Sequence, residues 1–271
     1  MQKAFVKLAL CAVATLAGLS AGAQTPEVTL TRLDCGTQVE NDVGRWSDTF
    51  AYPAGTKLPF TFSCYLIKHG GDYMLWDTGH SMSAGAPAPK VSIVDQLAQL
   101  KLKSEQIKFI GISHFHPDHT GQLPSFPGAT VLIGKGDWDG ITATPPMPGA
   151  NAAAFAHWRS GGGKLEALTN DKDVFGDGTV VILRTPGHTP GHDSALVRLK
   201  EAGNFLLSGD LMHFHENYES NGVPGFNHHR GDTVASLERF KKMAANLKAT
   251  VIIQHDPRDI GKLPAFPAAA R

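Results

Sequence analysis

Short alternating or continuous apolar stretches divide the chain into predicted strands. Residues 28–33 alternate apolar and polar side chains, as a half-buried strand does. Residues 61–67 and 73–76 are apolar runs separated by His69-Gly70-Gly71-Asp72, a turn sequence that predicts a hairpin. Further strands are predicted at residues 109–112, 130–133, 180–183, 195–199, 205–207 and 251–253.

Two segments have the apolar spacing of helices instead. Residues 92–100 place apolar side chains on one helical face, and residues 233–247 do the same, with Thr233 or Asp232 as the expected N-cap. A third helix is expected around residues 152–158, within a stretch rich in Pro, Gly and Ala. Strands come first and then mix with helices, which favours two sheets packed together with helices outside.

The first residues have the order of a secretory signal. Lys3 and Lys7 precede an apolar run at residues 8–19, and Ala21-Gly22-Ala23 is a small-x-small cleavage pattern. A membrane anchor would need about 20 apolar residues, so cleavage after Ala23 is the favoured interpretation. The mature protein would then run from Gln24 to Arg271, with no anchor left and a periplasmic or secreted location.

Composition narrows the possible partners. Lys plus Arg and Asp plus Glu each number 25, and a chain so close to neutrality lacks the basic surface typical of a nucleic-acid-binding protein. Cys35 and Cys64 remain after the signal, each in an expected strand. An exported protein can keep a disulfide, but the sequence leaves open whether these two pair.

One short segment concentrates metal-binding side chains. Residues 114–119 read His-Phe-His-Pro-Asp-His directly after a predicted strand. Alternate residues of an extended chain point the same way, so His114 and His116 can converge, while a turn after Pro117 can direct Asp118 and His119 to the other side. One loop can thus supply two adjacent metal ions, and imidazole with carboxylate suits Zn, or else Fe, Mn or Co.

Three later segments add further ligand types. Residues 185–192 repeat Thr-Pro-Gly-His twice, Gly209-Asp210 follows the strand at 205–207, and Gln254-His255-Asp256 follows the strand at 251–253. Residues at strand ends gather at one edge of a sheet, where active sites of α/β proteins commonly form. Because His188 precedes its repeat, His192 is expected to support the site rather than to bind metal.

The order HxHxDH, then His, Asp and His, resembles the metallo-β-lactamase superfamily across nearly all of the mature chain. The resemblance implies an α/β fold, a four-layer αβ/βα sandwich of two mixed β-sheets with outer helices, over residues 24–271. Asp77, in Leu75-Trp76-Asp77-Thr78-Gly79, would orient a ligand histidine. The resemblance also implies two metal ions. One would be held by His114, His116 and His188, the other by Asp118, His119 and His255, and Asp210 would bridge them.

Within the superfamily, the chain is most similar to N-acyl-homoserine lactone lactonases. The shared segments are residues 63–67, the doubled Thr-Pro-Gly-His, residues 216–219 and residues 223–226. In that family a tyrosine stands three residues after the bridging aspartate and touches the lactone carbonyl, whereas this chain has His213. His213 is therefore expected to donate a hydrogen bond to the same oxygen. The implied partner is a small acyl lactone, and a homodimer is left open.

The resemblance also implies a mechanism. Two cations, expected to be Zn with Co, Mn or Fe as alternatives, would share a hydroxide that attacks the lactone carbonyl. Asp118 or Asp210 would move the proton. An organophosphate triesterase is the main rival on the same fold, and a β-lactamase is disfavoured because that class generally lacks the bridging Asp210. No GxxxxGK[ST] motif or nucleophile elbow occurs, which argues against a nucleotide site or a serine hydrolase.

Overall fold

The computed structural model of the protein describes Met1 and residues 26–271. The body of the predicted export signal and its cleavage site therefore lie outside the described residues. Within the described part of the chain, no helix is long and apolar enough to cross a membrane.

The first of two sheets has six strands in sequence order. A long hairpin of β1 and β2 continues antiparallel into β3, and β3 to β6 then run parallel. The turn at Gly70-Gly71 joins β2 to β3, as the sequence predicts. The strands are β1 (Val28–Glu40), β2 (Leu58–His69), β3 (Asp72–Trp76), β4 (Ile107–Ile112), β5 (Thr130–Gly134) and β6 (Leu165–Leu168).

The second sheet has five strands in the order β11-β10-β9-β8-β7. β10 and β11 are parallel, and the other neighbours are antiparallel, so both sheets are mixed. The strands are β7 (Lys172–Asp173), β8 (Val180–Arg184), β9 (Asp193–Leu199), β10 (Gly203–Leu207) and β11 (Thr250–Ile252).

Helices connect the strands and cover the outer faces of the sheets. They are α1 (Ile93–Gln99), α2 (Pro117–Thr120), α3 (Lys135–Thr142), α4 (Ala156–Arg159), α5 (His215–Ser220) and α6 (Arg230–Leu247). Short 3-10 turns lie at Val43–Trp46, Ser104–Gln106, Leu123–Ser125, Gly209–Leu211 and Pro257–Lys262.

Alternation along the strands builds three apolar layers. In β9, Ala195 and Val197 pack between the sheets, whereas Leu196 faces outward onto Leu237 and Phe240 of α6. The outer face of the first sheet packs on a separate cluster that includes Ile93 of α1. Two sheets between outer helices confirm the predicted four-layer α/β sandwich.

A disulfide links the two longest strands. Cys35 of β1 and Cys64 of β2 are bonded, with their Cα atoms 5.9 Å apart. Cys35 lies where the register of β1 on β2 shifts, between Asp34 and Thr37. The bridge therefore ties an irregular part of β1 to its neighbour, which resolves the pairing that the sequence left open.

Two helix predictions need correction, and other helices were not predicted. α6 begins at Arg230 with His229 as its N-cap, not at Thr233 or Asp232, because His229 Nδ1 accepts a hydrogen bond from the backbone N–H of Asp232. The helix expected over residues 152–158 is reduced to Ala156–Arg159, since the chain before it forms turns. α3 and α5 lack a clear apolar period and were not predicted.

Candidate metal centre

Each of the seven predicted ligands lies in a segment that follows the carboxyl end of a strand. His114 to His119 follow β4, His188 follows β8, Asp210 follows β10 and His255 follows β11. β8, β10 and β11 share one direction, because β9 is antiparallel to both β8 and β10. All the ligand segments thus meet at one edge of the sandwich, as expected for α/β proteins.

Four of these side chains form a first donor cluster. One ligand atom from each of His114, His116, His188 and Asp210 lies within 4.8 Å of the other three. His114 Nε2 is 2.9 Å from His116 Nδ1, which is 3.2 Å from His188 Nε2. Burial lowers the pKa of His114 and His188 well below the usual value, so both imidazoles are neutral, the form that binds metal.

A second donor cluster shares Asp210 with the first. Asp118, His119, Asp210 and His255 place one ligand atom each within the same 4.8 Å. Asp210 directs Oδ1 to His255 Nε2 at 2.8 Å and to His119 Nε2 at 3.1 Å, while Oδ2 lies 3.5 Å from His188 Nε2. Its two oxygens therefore face different clusters, which is the arrangement that a bridging carboxylate requires.

Hydrogen bonds fix the ring orientations around the clusters. His119 Nδ1 donates to Asp77 Oδ2 at 2.8 Å, and His255 Nδ1 donates to the Thr61 carbonyl at 2.8 Å. Ser113 Oγ donates to the same Asp77 oxygen and lies 3.1 Å from His114 Nδ1, from which it can accept. Each imidazole is thereby left with its Nε2 lone pair directed into the site. Asp77 thus orients His119, as the resemblance implies.

The backbone at Asp210 is held by the second histidine of the doubled motif. His192 Nδ1 donates to the Thr185 carbonyl, so its Nε2 can accept the Asp210 N–H at 2.9 Å. Burial lowers the pKa of His192 to about 3, which keeps this acceptor neutral. Gly209 has φ of +54°, and a Cβ there would lie 2.7 Å from His192 Nε2. Glycine before Asp210 therefore permits the turn, and His192 supports the site as expected.

The donor set fits divalent cations. His114 Nε2 and His116 Nδ1 point at each other, while the other ring nitrogen of His114 is directed to Ser113 Oγ. His119 Nε2 lies 3.1 Å from Asp210 Oδ1 but makes no hydrogen bond of good geometry within the described residues. Such convergence of lone pairs and carboxylate oxygens is costly without a positive charge between them. A tight set of imidazoles and carboxylates is the ligand chemistry of Zn and related metals.

His213 lies against the clusters but not in either of them. Its buried ring is parallel to that of His255 at 5.5 Å and tilted on Trp46 at 4.4 Å. Nε2 is 3.2 Å from Asp210 Oδ2, and Nδ1 is buried without a partner in the described residues. The structure thus places the His213 ring beside the Asp210 carboxylate.

Asp137 is a site residue that the sequence prediction missed. It lies in the first turn of α3, fully buried, and accepts hydrogen bonds from Phe115 N, Thr189 Oγ1 and Gly191 N. Burial raises its pKa to about 7, against the lowering effect of these donors. A signal was available, since Asp137 closely follows a predicted strand, as Asp77 does.

Comparison with known proteins agrees with this geometry. A family model described as the metallo-β-lactamase superfamily matches residues 60–255. The chain belongs to this superfamily. A curated relative, the N-acyl homoserine lactonase AttM of Rhizobium radiobacter, is 30% identical over 225 residues, which cover 75% of this chain and 84% of the relative.

Solved structures with the same fold include lactonases. A quorum-quenching N-acyl homoserine lactone hydrolase matches with a TM-score of 0.78 at 22% identity, over 91% of this chain and 99% of that one. AidC, a dizinc quorum-quenching lactonase with a bound product, matches with a TM-score of 0.68 at 20% identity, over 91% and 90%. At these identities the likeness establishes the metallo-β-lactamase fold.

Proposed function

We propose that this chain is a metal-dependent N-acyl homoserine lactonase with two divalent cations, zinc being the expected metal. The observation that carries the proposal is the pair of donor clusters that share Asp210. The chain's relatedness to a named lactonase over 75% of its length supports the substrate.

The ligand assignment follows the two clusters. His114, His116 and His188 would hold one cation, Asp118, His119 and His255 the other, and Asp210 both. When bound, such cations lower the pKa of a water toward about 7 and polarise a carbonyl oxygen.

Protein side chains would move the proton during ring opening. Asp118 is the more accessible carboxylate, with its side chain 20% exposed against 5% for Asp210. In hydrolysis, the water oxygen bonds to the carbonyl carbon and the bond from that carbon to the ring oxygen breaks. Asp118 would accept the water proton and return it to the departing ring oxygen, giving a hydroxy acid without a covalent enzyme intermediate. Asp210, held by His192, would stay ionised throughout.

An aromatic wall beside the clusters supports an acyl substrate. Trp46 packs edge-to-face on Phe226 at 5.1 Å, and Phe226 lies 6.2 Å from the ring of His188. Phe226 is 48% exposed, so its ring is available to an apolar ligand. The wall would hold the acyl chain while the lactone ring faces His213.

The reaction itself can be tested by product analysis. A long-chain acyl homoserine lactone, incubated with metal-loaded protein in isotopically labelled water, should yield an open product heavier by one labelled water molecule. The label should lie in the new carboxylate, because the carbonyl carbon of the lactone ring receives the water oxygen. Release of the acyl chain as a free fatty acid would instead indicate amide cleavage and contradict the proposal.

His213→Ala should lower lactone turnover modestly. A neutral imidazole can donate one hydrogen bond to the carbonyl oxygen, and losing a well-placed oxyanion donor costs about 100-fold at the smaller end of the known range. Because a cation polarises the same oxygen, we expect at most that loss, mainly in kcat. His228→Ala, an exposed histidine, is the control. Unchanged kcat in His213→Ala would show that His213 does not assist the carbonyl.

We also propose that the protein is exported. The order of charge, apolar run and small residues before Gln24 supports this, as does the Cys35–Cys64 disulfide, since such bonds persist in oxidising compartments. Protein from the native host should begin at Gln24, and its intact mass should be two hydrogens below that of the reduced form. Mass spectrometry that finds Met1 retained on the exported fraction would contradict cleavage.

A further inference from the structure

The second copy of Thr-Pro-Gly-His and the segment Gly134-Lys135-Gly136-Asp137 meet backbone to backbone. A Cβ on Gly136 would lie 2.7 Å from the carbonyl of Pro190, and a Cβ on Gly191 would lie 2.7 Å from Asp137 Cβ. These glycines therefore allow the start of α3 to approach the turn after His188 more closely than side chains would permit.

Asp137 occupies this contact and joins two ligand segments. Its Oδ2 accepts from Phe115 N at 2.9 Å, and Phe115 stands between His114 and His116. The same oxygen accepts from Thr189 Oγ1 at 2.8 Å, directly after His188, and Oδ1 accepts from Gly191 N at 2.6 Å. Phe115 and Thr189 are thus adjacent to His114, His116 and His188, which all belong to the first donor cluster.

We propose that Asp137 is a positioning residue that sets the separation between the His114–His116 loop and the His188 turn, and so determines the affinity of the first cation site. In the second site, Asp77 and the Thr61 carbonyl bind the Nδ1 atoms of His119 and His255 directly. The two sites should therefore respond differently to loss of the Asp137 carboxylate. This inference rests on the ligand set of the proposed function but not on its substrate.

Asp137→Asn is the informative substitution because it keeps the shape but not the acceptor pattern. Both carboxylate oxygens accept from N–H or O–H donors, so an amide NH2 must face a donor whichever way it is turned. Groups that orient metal ligands typically contribute about 10- to 100-fold to metal affinity. We expect the metal affinity of the first site to fall by about 10-fold or more in Asp137→Asn, and the affinity of the second site to stay unchanged.

The measurement is a competition titration of metal-free protein with Co²⁺ against a chromophoric chelator, read together with the Co²⁺ absorption spectrum. Asp139→Asn, an exposed carboxylate on the same helix that pairs with Lys135, should match the wild type. Thr189→Val removes one of the three hydrogen bonds and should give a smaller loss. The absorption bands that weaken in Asp137→Asn should differ from those that weaken in Asp118→Asn.

Several results would overturn the inference. If the metal affinities of both sites fell equally, in proportion to a lower melting temperature, Asp137 would only stabilise the fold. If neither affinity changed, Asp137 would have no role in metal binding. If Asp137→Asn does not fold, Thr189→Val replaces it in the test. An unchanged Co²⁺ affinity of the first site in Thr189→Val would then show that the Asp137 contact does not affect metal binding. If the wild type binds two ions but opens no lactone, the substrate assignment fails while this inference stands. A wild type that binds fewer than two ions overturns both.

Discussion

Asp210→Asn is expected to lower lactone turnover by at least about 100-fold while the fold is kept. Groups that merely orient metal ligands are worth about 10- to 100-fold, and Asp210 directs an oxygen to each cluster. An asparagine keeps the size, but it removes the negative charge and offers one oxygen where two are used. Steady-state kinetics with metal content measured on the same sample checks this expectation.

Asp118→Asn is the matched comparison for Asp210→Asn. Asp118 belongs to the second cluster alone, so its loss should weaken the binding of one ion, whereas the loss of Asp210 should weaken the binding of both. Thermal unfolding monitors the fold in both variants, since a change of ligand should act mainly through metal occupancy. A near-wild-type rate for Asp210→Asn, with two ions retained, would mean that Asp210 is not a ligand.

Removal of the metal should abolish activity completely. The purified protein is expected to hold close to two ions per chain, because the described residues form two donor clusters. The serine at the site, Ser113, is buried and its Oγ donates to Asp77, so it does not offer an alternative nucleophile after chelation. Elemental analysis before and after chelation, with readdition of Zn, Co or Mn, measures both content and recovery.

The controls for chelation separate metal loss from unfolding. Activity should return on readdition, and the rate of spontaneous lactone hydrolysis in buffer should be subtracted throughout. A chelated sample that is free of metal yet fully active would contradict a metal-dependent reaction. A single tightly bound ion in the active protein would contradict the shared role of Asp210.

The candidate metal centre could be predicted from sequence because its residues follow the ends of recognisable strands. The segment from His114 to His119 follows a short apolar strand, and His188, Asp210 and His255 each follow a strand as well. Strand ends in an α/β fold converge on one edge, which predicts that these segments meet, and the resemblance to the metallo-β-lactamase superfamily implied the division of their residues into two groups. The structure places all of them in the two predicted groups.

The residues that depend on tertiary contacts could not be predicted in the same way. α3 contains Gly136 and Gly140 within eight residues, which makes it a weak helix by local propensity, and its packing at the ligand turns maintains it. Asp137 therefore had no periodic pattern to mark it as buried. His229 caps α6 because its backbone N–H is bound to the Gly187 carbonyl, a contact between distant segments.

Neither the fold nor the metal ligands distinguish a lactone from a phosphotriester. Phosphotriester hydrolysis can use a similar pair of cations, and the clusters alone would serve that reaction too, whereas the shared Asp210 disfavours a β-lactamase. The features that favour a lactone are the apolar wall of Trp46 and Phe226 and the position of His213 beside Asp210. A comparison of substrates therefore tests the proposed function most sharply.

The most direct measurement is kcat/KM of one metal-loaded preparation on a long-chain acyl homoserine lactone, a phosphotriester and a β-lactam. We predict that the lactone is hydrolysed with the highest kcat/KM, and that chelation removes this activity. Hydrolysis of the phosphotriester or the β-lactam without hydrolysis of the lactone would contradict the proposed function and leave only a dinuclear hydrolase of another specificity.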